Sequence, residues 1–213
     1  MPAGGLGLCP GCRADLPWIG PACGRCARPL PAPGECGACM RHAPPWSRAL
    51  VPLAWRFPVD VLVGRFKYGG ALHFGALLGR LLAEYCDGPR PDGIVPVPLH
   101  PERLAERGFN QALELARPVA RRMSVPILGN ACSRTVATPP QAGLAARLRY
   151  RNLRGAFFAS QEVRGRRLVV IDDVMTTGST AAAVALALLE AGAAGVELWA
   201  VARGGTAQGG VKV

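Results

Sequence analysis

The stretch RRLVVIDDVMTTGST, residues 166–180, decides the fold. RRLVVIDDV reads as a strand, TTGST as a turn, and AAAVALALLEAG, residues 181–192, as a helix closed by Gly192. VELWAVAR, residues 196–203, reads as a second strand. Strand, helix and strand within the length of one βαβ unit predict parallel strands with a right-handed crossover, and so an α/β protein whose parallel sheet is flanked by helices. At the carboxyl end of the first strand stand Asp172 and Asp173, followed by Thr176, Thr177, Gly178, Ser179 and Thr180. Ligands of parallel sheets bind at such strand ends. Hydroxyls and a glycine at a helix N-terminus bring free amides, side-chain donors and the positive end of the helix dipole together, which is what a phosphate requires. The segment lacks the Gly-Lys-Ser/Thr ending of a Walker loop. TTGST alone has first of all the composition of a plain Ser or Thr helix cap. The acid pair and the apolar strand beside it make the phosphate reading.

Upstream, VDVLVGRFKYGG (59–70) leads into ALHFGALLGRLLAEYC (71–86), where Leu77, Leu78, Leu81, Leu82 and Tyr85 recur at helical spacing. GIVPVPLH (93–100) reads as a buried strand running into a loop. Asn110 to Met123 is predicted helical, with Pro118 a kink or break near its end. VPIL (125–128) and GAFFAS (155–160) are short strand candidates, and 44–58, with Trp46, Trp55 and several prolines, reads as a linker that becomes a packed connection. The span from Cys132 to Arg154 has neither period and reads as an arginine-rich mobile loop. These signals divide the chain into a cysteine-rich module at 1–43, an α/β domain at 44–205 and a disordered tail at 206–213.

Six of the eight cysteines form Cys-x-x-Cys pairs: Cys9 with Cys12, Cys23 with Cys26, and Cys36 with Cys39. Pairs at this spacing grip zinc, with small residues letting backbone amides turn toward the sulfurs. Zinc takes four ligands, so three pairs leave a remainder. Two pairings of neighbouring pairs have similar intervening lengths. The turn-rich CGRCARPLPAPGECGAC (23–39) favours Cys23, Cys26, Cys36 and Cys39 as a structural zinc ribbon. Cys9 and Cys12 are then candidate further ligands or a redox dithiol, and His42 is an alternative ligand.

The formal charge is +11, and every basic residue except Lys67 and Lys212 is arginine. From Leu115 to Gln161 there is no acid, while Arg117, Arg121, Arg122, Arg134, Arg147, Arg149, Arg151 and Arg154 fall there. Such a field attracts polyanions, either a phosphate-rich small molecule or nucleic acid. No apolar run approaches the ~20 residues needed to span a bilayer, and MPAGGLGLCPGC does not read as a secretory signal, so a cytoplasmic protein without membrane insertion is expected.

Two acids followed by Thr-Thr-Gly-x-Thr resemble the phosphoribosyl pyrophosphate signature of type I phosphoribosyltransferases. Together with VPVPLHPERLAERGFNQALELA (95–116), RTVATPPQAGLAARLRYRN (134–152) and the cysteine pairs, the chain resembles the ComF family of competence proteins and their GntX relatives. Many members of that family carry one more cysteine pair upstream and complete a double zinc ribbon. Its absence here is expected to leave Cys9 and Cys12 without partners. The resemblance implies a phosphoribosyltransferase-like domain that binds phosphoribosyl pyrophosphate with Mg2+. Asp172 and Asp173 would accept the ribose hydroxyls, and Thr176 to Thr180 would hold the 5-phosphate. Val97, Pro98 and Leu99 would lie at the pyrophosphate with Arg103 and Arg107, while Arg134, Gln141 and Arg147 would form a lid. It implies either transfer to an acceptor that the sequence does not name or non-catalytic binding of phosphoribosyl pyrophosphate and single-stranded DNA beside the DNA-uptake machinery. His100 stands beside the pyrophosphate loop, where a lone histidine is more often a hydrogen-bonded loop residue.

Overall fold

The computed structural model describes residues 7–135 and 155–205. Gln141 and Arg147, with most of the expected mobile loop and the tail, lie outside the described residues. Two short helices, α1 (Pro10–Ala14) and α2 (Gly37–Arg41), belong to the cysteine-rich module. The α/β part follows as β1 (Ala49–Leu50), β2 (Leu53–Ala54), α3 (Val59–Tyr68), α4 (Leu72–Tyr85), β3 (Gly93–Pro96), α5 (Pro101–Arg107) and α6 (Gln111–Met123). Then come β4 (Cys132–Arg134), β5 (Phe157–Ala159), β6 (Arg167–Met175), α7 (Ser179–Glu190) and β7 (Gly195–Arg203).

The main sheet runs β1-β7-β6-β3, with β2 also pairing β7, and every pairing is parallel. β4 and β5 form a separate antiparallel pair. The central stretches of the strands, Leu168–Ile171 of β6 and Leu198–Ala202 of β7, are apolar because both faces of the sheet are covered, as parallel sheets require. On β6 the period of two sorts the side chains: Leu168 and Val170 enter the core shared with α7, and Val169 and Ile171 the core beneath α3, α4 and α6. Continued along the strand, this alternation puts Asp172 on the α7 side and Asp173 on the α3 side.

Two readings need correction. Residues 44–58 are more than a connection, since 49–54 supplies the β1/β2 edge of the sheet; two-residue strands are too short to show a period. Pro118 does not break its helix, and α6 runs on to Met123. The ring sits where α4 and α6 come closest: a Cβ on Gly79 would meet Pro118 Cγ at 2.9 Å and Leu115 O at 3.0 Å. VPIL contributes a single bridge, Ile127 to Ile94.

Candidate functional site

A cleft of about 450 Å3 opens at the carboxyl ends of β3 and β6. Val97, Pro98, Leu99, Arg103, Arg107, Arg134, Asp172, Asp173 and the whole run Thr176 to Thr180 line it. Lys67, Tyr68, Trp55, Asn110 and Gln111, none of them singled out in the sequence as site residues, line it too.

The acid pair is asymmetric. Asp173 is buried and its Oδ2 lies 2.8 Å from Lys67 Nζ, which α3 delivers from the opposite layer. Burial works against the Lys67 charge, but the Asp173 carboxylate outweighs it and holds the lysine above its usual range. Among the described residues Asp172 has no ion-pair partner; its Oδ1 accepts the Asp173 amide at 2.8 Å. Burial first, and the Asp173 charge second, push the Asp172 carboxyl up to about 7, with Lys67 opposing. Lys67 is one of two lysines in a chain whose other basic residues are arginines, but no local pattern ties it to Asp173.

The loop Thr176–Gly178 turns into α7 through Gly178, whose φ of +77° is left-handed. A Cβ there would also stand 2.9 Å from Trp46 Cη2. Thr177 Oγ1 and Ser179 Oγ lie 2.8 Å apart, and the Ser179 amide donates to Thr177 Oγ1 at 3.3 Å. The amides of the first turn of α7 have no acceptor within the helix, so the loop presents donors and the positive end of a 12-residue helix to the cleft.

On the facing side Asn110 caps α6, accepting the Ala112 amide at 2.9 Å, while its Nδ2 donates to Val97 O at 3.1 Å. That bond fixes the Val97–Leu99 loop against the helix. Arg107 donates to Gln111 Oε1 at 2.8 Å and lies 5.4 Å over the Tyr68 ring. His100 Nδ1 is buried 3.5 Å from Glu102 Oε2 at the start of α5 and has no hydrogen-bond partner among the described residues, so it is not the hydrogen-bonded loop residue expected.

In the N-terminal module the sulfurs of Cys23, Cys26, Cys36 and Cys39 all lie within 4.8 Å of one another. Zinc–sulfur bonds of about 2.3 Å place tetrahedral sulfurs about 3.8 Å apart. The Cys26–Cys36 separation of 3.7 Å matches that edge. The amide of Cys36 already points at Cys23 Sγ, 3.3 Å away. Four thiols in this geometry fit a structural zinc. The tertiary fold thus selects between the pairings the spacing left open. Cys9 and Cys12 are exposed and form a knuckle of their own, with the Cys12 amide 3.4 Å from Cys9 Sγ. Among the described residues no helix is long and apolar enough to cross a membrane.

A family model described as a double zinc ribbon domain matches residues 1–40. The DNA utilization protein YhgH of Escherichia coli is 38% identical over 210 residues, covering 94% of this chain and 92% of that protein. Competence protein F of Haemophilus influenzae is 34% identical over 208 residues, covering 92% of this chain and 90% of the relative. Among solved structures, the glutamine phosphoribosylpyrophosphate amidotransferase of B. subtilis is similar over 58% of this chain at 23% identity and a TM-score of 0.41. The chain spans 25% of that protein's length. An adenine phosphoribosyltransferase from Thermoanaerobacter pseudethanolicus is similar over 65% of this chain and 83% of its own, at 16% identity and a TM-score of 0.39.

Proposed function

The chain belongs to the ComF family, that of competence protein F and the DNA utilization protein YhgH, and on that premise we propose that its cleft binds phosphoribosyl pyrophosphate with Mg2+ and transfers the phosphoribosyl group to an acceptor. The observation that carries the reading is convergence. The segment Asp172–Thr180, the Val97–Leu99 loop with Arg103 and Arg107, and Lys67 of α3 come from three separate parts of the chain and line one cleft.

Each group has a role suited to its place. The loop amides and hydroxyls of Thr176 to Thr180 hold the 5-phosphate dianion at the α7 N-terminus. Asp172 and Asp173 accept the ribose 2- and 3-hydroxyls, and the ion pair with Lys67 holds the Asp173 carboxylate in place for that task. Arg103 and Arg107 face the pyrophosphate, whose oxygens gain charge as the bond to ribose C1 breaks and its electron pair departs with the leaving group. The acceptor nucleophile forms the new bond at C1. Asp172 offers a hard oxygen ligand of the kind magnesium takes, and that ion would supply charge neutralisation at ribose and pyrophosphate oxygens. Since the Asp172 carboxyl is pushed up to about 7, metal-assisted binding strengthens as pH rises through neutrality. The test is pyrophosphate release from phosphoribosyl pyrophosphate and magnesium in the presence of candidate nucleobases or DNA. Ligand binding without release under any acceptor would overturn the transferase step.

A second reading is favoured by a separate observation. The relatives are named for DNA utilization and competence, and the acid-free run from Leu115 to Gln161 carries eight arginines. In that reading the protein binds phosphoribosyl pyrophosphate and single-stranded DNA without turnover during DNA uptake. Single-strand binding would then fall steeply with salt and would weaken when Arg147, Arg149 and Arg151 are neutralised. Binding that ignores salt and those arginines would rule it out.

A further inference from the structure

The Cys23–Cys26 knuckle does more than hold sulfurs. Its three successive carbonyls each accept a hydrogen bond from the α/β domain. Gly24 O accepts the Ala49 amide of β1 at 2.8 Å, Arg25 O accepts Trp46 Nε1 at 2.6 Å, and Cys26 O accepts Arg203 Nε at 2.9 Å. Two of those donors lead straight to the phosphate loop. Trp46 is the side chain against which Gly178 packs, leaving no room for a Cβ. Arg203, buried at the end of β7, turns its Nη1 to the carbonyls of Met175, Thr176 and Gly204. One planar fork therefore clamps the cysteine knuckle to the first residue of the cradle.

We propose that Arg203 and Trp46 are positioning residues that couple metal occupancy of the four-cysteine site to the conformation of the Thr176–Thr180 loop, so that loading the ribbon preorganises the phosphate cradle. The physical basis is the knuckle backbone: a tetrahedral ion would fix the backbone whose carbonyls hold both side chains, and without it the two thiol side chains no longer constrain that backbone. Free energy exchanged between two sites is reciprocal, so a ligand in the cradle must hold the metal more tightly by the same factor.

The inference rests on the reading of the loop as a phosphate cradle, but its first test does not need the ligand. Hydrogen exchange is measured on the full chain, zinc-loaded and zinc-stripped. On stripping, the amides of Ser179, Ala182 and Gly204, which donate to Thr177 Oγ1, Gly178 O and Met175 O, should exchange about ten times faster or more, while those of β3 and of Leu168 to Ile171 in β6 stay unchanged. Zinc-loaded Arg203→Met should show the same local loosening with its metal content retained, and Arg203→Lys an intermediate one. Trp46→Phe, which loses the N–H to Arg25 O together with the outer indole edge against Gly178, serves where Arg203→Met does not fold and should loosen the loop partially. Loop exchange indifferent to zinc, or loosening spread evenly across the sheet, overturns the coupling. The second test is zinc release to a chromogenic chelator with and without ribose 5-phosphate. The sugar phosphate should slow release in the wild type and not in Arg203→Met. Ribose 5-phosphate that binds yet leaves release unchanged defeats this inference alone, whereas ribose 5-phosphate that does not bind defeats the cradle reading and leaves the exchange result standing.

Discussion

Replacing Asp173 by asparagine removes one charge and little else. The amide matches the carboxylate in shape, and the side chain is buried, so packing is conserved. Two energies change. A ribose hydroxyl that donated to a carboxylate now donates to a neutral carbonyl, and charge-assisted hydrogen bonds are worth roughly 1.5 to 3 kcal/mol, or about ten- to over a hundredfold in affinity. The Lys67 ammonium, 2.8 Å from Oδ2, also loses its partner while its side chain is only 20% exposed. Breaking a buried pair costs about 3 to 5 kcal/mol, and the water that still reaches Lys67 places this one toward the lower end. Calorimetric titration with phosphoribosyl pyrophosphate and magnesium, and separately with ribose 5-phosphate, measures the first effect, and urea unfolding measures the second. Lys67→Met separates them: it should lose comparable stability while keeping the carboxylate that accepts the hydroxyl. Wild-type affinity in folded Asp173→Asn protein would refute the placement of the ribose, and with it the ligand assigned to the cleft.

Gly178→Val should abolish phosphate binding more completely than Asp173→Asn, because any side chain meets Trp46 and a left-handed φ costs a β-branched residue about 1 to 2 kcal/mol or more; ribose 5-phosphate titration reads the loss and thermal unfolding checks the fold. Purified protein should contain about one zinc per chain, and Cys36→Ser should release it and destabilise the N-terminal module; a metal content near two would show that Cys9 and Cys12 hold a second ion. The Asp172 carboxyl, raised on folding from its usual range to about 7, binds more protons folded than unfolded, so its contribution to stability is present at low pH and is lost as pH rises from about 4 to about 7. Over that window the wild type should lose up to about 4 kcal/mol relative to Asp172→Asn, read from paired denaturant titrations, and parallel curves for the two proteins would show that Asp172 is not perturbed.

What the chain declares locally, the sequence determined by itself. RRLVVIDDVMTTGST carries strand, acid pair and glycine turn within a few residues of one another, and the Cys-x-x-Cys spacing is a property of single knuckles. Such features depend on backbone geometry over one or two turns, and the residue pattern encodes that geometry directly. Three decisions belonged to the tertiary structure. Equal spacing could not say which cysteine pairs share an ion; the approach of 23, 26, 36 and 39 does. Nothing near Lys67 in the sequence points to Asp173, and the pair exists because α3 packs on the face of β6 toward which the odd-numbered side chains point. Trp46 and Arg203 read as an ordinary core aromatic and a strand-end cation until the fold closes contacts spanning 21 residues to Arg25 and 177 residues to Cys26. Contacts at such separation are set by how layers stack, and stacking is a property of the whole core that no short stretch of sequence contains.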